Sequence, residues 1–133
     1  LNGGLTTLES FGVEEPCEIP ASYKRFVAGL PYYLELDDYI LVQAGLNFKA
    51  DDPFADTQAM LWNRSGEVEP ERIGSRKIIS GHTPVSRETI RQSISTGRIY
   101  LDNGCVYAPD PDLGTLTALE LNSLSLYFQT NID

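Results

Sequence analysis

The sequence predicts an α+β chain, on three observations. Amphipathic helical spacing is confined to the first third, β-rich runs gather after Tyr32, and no apolar run is long enough to cross a membrane. The longest such runs are of the size of Tyr39-Ile40-Leu41-Val42. A length of 133 residues fits one domain spanning 1–133 with its own core, and a hydrophobic fraction of 41% suits a globular chain. The first residues, LNGGLTTLES, lack the charged-then-apolar order of a secretory signal and an initiator Met, so the chain is expected to begin inside a longer protein.

Asn2-Gly3-Gly4 reads as a turn, and Leu5, Leu8 and Phe11 after it are spaced for one or two helical turns. Val13–Pro20, acidic and carrying two prolines, reads as a connector. Ser22–Leu30 sets Phe26, Val27 and Leu30 against Lys24 and Arg25, an amphipathic helix stopped by Gly29 and Pro31. Tyr32–Leu36 and Tyr39–Ala44 are strands joined by a hairpin at Asp37-Asp38; the second, apolar on both faces, belongs inside a covered sheet.

Asp51–Phe54 is a loop, and Asp56 caps a short helix to Trp62. Ile78–Ser80, Arg98–Asp102 and Leu116–Leu121 are strands, and Leu124–Gln129 pairs with the last across Asn122-Ser123. The order is helices early and strands late. Cys17 and Cys105 are too few for a disulfide framework and are expected as small buried hydrophobes in a reducing, cytoplasmic setting. The Asn63-Arg64-Ser65 sequon is then without consequence.

A net charge of −9 excludes a nucleic-acid partner, which would require a cationic surface. The charge is uneven. Seven of the ten Lys and Arg residues lie between Arg64 and Arg98, and acids crowd Glu9–Glu18 and Glu35–Asp56. The basic middle is either a solvated face or a segment facing an anion.

Three strand ends carry the residues able to do chemistry: Leu41-Val42-Gln43-Ala44-Gly45, Ile79-Ser80-Gly81-His82-Thr83-Pro84, and Tyr100-Leu101-Asp102-Asn103-Gly104-Cys105. Met60-Leu61-Trp62-Asn63-Arg64 falls between the first two. Singly each is weak: a lone His after Gly is commonly structural, a Trp beside Leu and Met is usually core, and Asp-Asn-Gly is usually a turn.

In this order and spacing they resemble the C-terminal half of the calcineurin-like metallophosphoesterases, of the bacterial serine/threonine phosphatase type. The resemblance runs over nearly all of the chain. It implies part of a β-sandwich of mixed sheets flanked by helices, with the N-terminal strands missing. It further implies that His82 is a ligand of one of two adjacent divalent metals (Mn, Fe or Zn), that Arg64 binds phosphate oxygens through its planar fork, and that Asp102 supports the loops behind the metals. The implied reaction is two-metal hydrolysis of a phosphorylated protein, a small phosphoester or a dinucleoside polyphosphate.

The chain departs from that family in two ways. The upstream Asp-x-His, Gly-Asp-x-x-Asp-Arg-Gly and Gly-Asn-His-Glu segments are absent, and Gln43 stands where the family has a second His ligand. A neutral amide is a weaker ligand for these metals than imidazole. The expectation is therefore that this chain alone neither holds the metals stably nor turns over. It belongs to a longer enzyme, or is a non-catalytic binding or scaffold module derived from one. Loss of half the sandwich would leave an apolar sheet exposed and favour self-association; no membrane is expected as a partner.

Overall fold

In the computed structural model, which describes residues 3–108 and 110–132, the chain divides into one unit ending at Pro31 and another beginning at Tyr32. No helix among the described residues is long and apolar enough to cross a membrane.

The first unit holds α1 (Gly4–Phe11), a 3-10 turn at Pro16–Glu18 and α2 (Ala21–Ala28). Gly12 ends α1 in the left-handed region at φ 66°, where a Cβ would be strained. Glu15 and Glu18 close a capping box on the acidic connector, and Lys24 Nζ donates to the Cys17 carbonyl at 2.7 Å. Phe11 and Tyr23 meet edge to face. Neither helix buries a residue, so the amphipathic face expected on α2 is present but uncovered: Phe26, Val27 and Leu30 are all exposed. Cys17 is exposed and Cys105 half-buried, which corrects the expectation that both are buried hydrophobes; both thiols are free.

The second unit is built on a four-stranded sheet in the order β1 (Tyr33–Glu35), β2 (Tyr39–Val42), β3 (Lys77–Ser80), β4 (Arg98–Tyr100). β1 and β2 form the expected antiparallel hairpin, with Tyr33 opposite Val42. β2, β3 and β4 run parallel, with Ile40 opposite Ile78 and Ile78 opposite Arg98. Parallel neighbours need crossovers. The first contains α3 (Thr57–Trp62) and a 3-10 turn at Pro70–Ile73, the second α4 (Arg87–Ser93).

Helices therefore alternate with strands here, and the expected order of helices early and strands late is corrected. α4 has no signature in the sequence, because RETIRQS is polar apart from Ile90, which is fully buried, and so carries no apolar period. Its start is set by Ser86, whose hydroxyl accepts the Thr89 N–H at 3.1 Å.

β5 (Thr115–Glu120) and β6 (Ser125–Thr130) form a separate antiparallel ribbon, linked to the rest by a β-bridge between Asn103 and Thr115 and by Arg87 and Arg91 of α4 over the Phe128 ring. The architecture is α+β with one mixed and one antiparallel sheet.

Side chains alternate across the sheet, so Ile40, Val42 and Ile78 share a face. With Leu46, Phe48, Met60 and Ile73 they make the main core, against which Tyr33, Phe54 and Val68 pack. Ile79 and Ile99 point to the other face, and α4 packs against β4. Leu34 on the edge strand, and Tyr32 and Leu36 on either side of it, are exposed.

Candidate functional site

Because β2, β3 and β4 run the same way, their C-terminal ends open on one edge, and the three segments singled out in the sequence follow directly from it. The Gly81 N–H donates to the Gln43 carbonyl at 3.1 Å, and the Leu101 N–H to the Ser80 carbonyl at 2.9 Å. A Cβ on Gly81 would lie 3.7 Å from the Asp102 Cβ. Gln43, His82 and Asp102 are thus neighbours on one sheet edge, although 59 residues separate the first from the last.

His82 sits at the apex of a three-residue turn, with φ 67° and the Thr83 N–H bonded to the Gly81 carbonyl at 2.8 Å. A tight turn with positive φ at its centre is rare and strained for a residue with a Cβ. The imidazole packs edge to face on the Trp62 indole, ring centres 5.5 Å apart at 85°. Its Nε2 is buried with no hydrogen-bond partner, and the neighbouring Thr83 hydroxyl is in the same state. Leaving such a group unpaired costs about 1–3 kcal/mol.

The remaining residues are looser. Gln43 is exposed, and its side chain makes no hydrogen bond among the described residues. Arg64 is exposed in the loop after α3 and forms no ion pair there. Trp62, two residues before it, touches the His82 ring. Asp102 is committed locally: its Oδ1 accepts the Gly104 N–H at 2.7 Å, and its carbonyl accepts the Val85 N–H at 2.9 Å. It thereby braces the loop that leaves His82. Trp62, expected as core, is 54% exposed and instead walls a cavity of about 380 Å³ beside α3, with Asn47 and Asp56 on the same wall. The Ala59 N–H and the Asn47 amide hold the Asp56 carboxyl below the usual carboxylate range.

Two further residues organise this edge, and the sequence marks them only as the start of a strand and as part of a turn. Arg98, at the start of β4, is 4% exposed, and Asn103, after β4, is 1% exposed. The Asn103 amide donates to Val85 and Asp112 carbonyls, both at 2.9 Å, and accepts the Thr115 N–H, holding the β5–β6 ribbon to the strand edge. Their partners are distant in sequence, so no local pattern marks this role.

The donor set does not fit a metal pair. One imidazole offers an unpartnered nitrogen, but no group of three or more His, Cys, Asp or Glu side chains converges among the described residues. Comparisons with protein-family models, with curated proteins and with solved structures give no match.

Proposed function

We propose that this chain supplies one part of a phosphoester-hydrolysing centre of the calcineurin-like metallophosphoesterase type, and that alone it does not turn over. One observation carries the reading: His82 is held on a strained turn at the open end of three parallel strands, with Nε2 left unbonded. A purely structural histidine would be expected to use that nitrogen. His82 is the ligand in this reading, Arg64 the group for phosphate oxygens, and Asp102 the brace behind them. The other donors, and the remaining strands of a helix-flanked sandwich, come from outside the chain. The two free thiols suit a reducing cytoplasmic setting.

Gln43 favours a second reading, a non-catalytic phosphate-binding or scaffold module that kept the fold and lost its ligands. The two separate on one substitution. If Gln43 occupies a ligand position, Gln43→His should tighten metal binding about tenfold, as one added imidazole ligand would.

The primary test follows the His82 ring by nuclear magnetic resonance as Zn²⁺ or Co²⁺ is added, with aryl-phosphate hydrolysis measured on the same samples. The expected result is a weak response confined to His82 and its neighbours, abolished by His82→Ala, with no turnover. Stoichiometric metal with turnover would overturn the claim of incompleteness. A His82 ring indifferent to metal would overturn the ligand assignment.

A further inference from the structure

Arg98 is an arginine buried without an acid. It forms no ion pair among the described residues, and burial pushes its guanidinium below its ordinary pKa. A buried charge of this kind survives only if its donors are satisfied. Each of its three nitrogens has an acceptor, and the acceptors come from three separate segments. Nε donates to the Ser80 hydroxyl at 3.0 Å, Nη2 to the Ala44 carbonyl, and Nη1 to the Ser65 carbonyl. The guanidinium carbon lies 4.9 Å from the centre of the Tyr100 ring. Gly45 leaves the room: a Cβ there would stand 3.5 Å from both terminal nitrogens and 3.3 Å from the Asn63 carbonyl.

Each acceptor adjoins a residue of the candidate site. Ala44 follows Gln43, Ser65 follows Arg64, and Ser80 lies two residues before His82. These segments lie up to 54 residues from Arg98 in sequence, and one planar fork spans them. No other side chain among the described residues is bonded to all three. Lysine could not replace it, because an ammonium is a point charge without the fixed fork.

We propose that Arg98 is the positioning residue of this site: its fork sets the spacing of Gln43, Arg64 and His82, and its uncompensated charge favours an anion at the strand edge. The second part rests on the phosphoester reading above; the first does not. Buried charge is screened less than surface charge, so in a chain of net charge −9 it would matter most close by.

The test uses inorganic phosphate as probe. Amide exchange is followed at Ala44, Gly81 and Ser65, whose N–H groups are bonded to the Met60 and Gln43 carbonyls and to the Asn63 side chain. In Arg98→Lys, exchange at all three is expected to rise together, and phosphate affinity to fall at least tenfold under conditions where the protein is fully folded. A merely stabilising residue would lower the unfolding midpoint and leave the affinity of the folded chain unchanged. If Arg98→Lys does not fold, Ser80→Ala removes only the Nε contact and should move Gly81 exchange and phosphate affinity in the same direction, by about threefold. Exchange and affinity both within twofold of the parent in the folded variant would overturn the proposal. If the parent shows no phosphate response, the phosphoester reading and the anion part fail, and the three-segment exchange alone decides the clamp.

Discussion

Holding an imidazole at positive φ with a buried, unbonded nitrogen costs stability twice. The left-handed backbone costs a residue with a Cβ about 1–2 kcal/mol, and the unpaired nitrogen about 1–3 kcal/mol. The edge-to-face contact with Trp62 returns about 0.5–1.5 kcal/mol. Glycine has no Cβ to strain in that backbone region and no nitrogen to leave unpaired, so His82→Gly should be more stable than the parent by about 1 kcal/mol in urea denaturation while losing any metal response. A loss of stability of that size would mean that the imidazole is there for packing. Gly104 makes the opposite case. Its φ is +59°, and a Cβ there would stand 2.6 Å from the Tyr107 ring and 3.1 Å from the Pro84 Cβ. The Tyr107 ring is exposed and can yield, so Gly104→Ala should cost about 1–3 kcal/mol, read by the same denaturation. That glycine was legible in the sequence, since Asp102-Asn103-Gly104 announces a turn. The strain at His82 was not, because Gly-His-Thr-Pro carries no rule that forces the histidine rather than the glycine to positive φ. Arg98 was least legible, as its acceptors are backbone carbonyls and a distant serine hydroxyl, and the one carboxylate close to it in sequence, Asp102, does not pair with it.

At the scale of elements, α3 ties the cap at Asp56 to the aromatic contact at His82, because Trp62 ends the helix that Asp56 begins. The Asp56 carboxyl is depressed first by the Ala59 N–H and then by Asn47. A depressed carboxylate contributes stability that is fully present above its unfolded pKa of about 3.9 and is lost as pH falls through the lower folded value. The helix should therefore loosen only below about pH 4. Trp62 is the chain's one tryptophan, so its fluorescence reports the change directly. In Asp56→Asn, which caps without charge, this contribution to the acid transition should disappear; an unaltered transition would show that other carboxylates carry it. The α3 cap, the β1–β2 hairpin and the β5–β6 ribbon were all legible, since each has a local signature: Asp before an apolar run, two β-rich runs around Asp37-Asp38, and two more around Asn122-Ser123. α4 was not, because it buries only Ile90 and Ser93 and is fixed by its cap and by β4. The parallel pairing of β2, β3 and β4 had no local sign either. It is this pairing that gathers the site, so the site's residues could be named from sequence but their meeting could not be derived from it.

At the scale of the whole molecule, stability is divided unequally between the two units. From Tyr32 onward lies every buried apolar residue found among the described residues, whereas α1 and α2 bury none. Helices of eight residues are marginal in water without tertiary packing, so the segment through Pro31 draws little stability from propensity alone. Lys24 and Arg25 lie on α2, exposed and open to trypsin. Brief digestion should cut there first and leave a fragment that begins near Phe26 and unfolds cooperatively. Its unfolding midpoint should lie within a few degrees of the intact chain's, since the elements removed bury no side chain of their own. Calorimetry of the purified fragment checks this. A midpoint lowered by ten degrees or more would show that the first 25 residues stabilise the sheet unit through contacts that burial does not reveal. Removal of the acidic connector should also act on association. Glu14, Glu15 and Glu18 are lost with the released peptide, so the fragment's net charge is less negative and its self-repulsion weaker, while Leu34 on the edge strand and Tyr32 and Leu36 beside it stay exposed. Sedimentation velocity should then show stronger concentration-dependent association for the fragment than for the intact chain, reversed by Leu34→Lys. Association that Leu34→Lys leaves unchanged would place the sticky surface elsewhere than on β1.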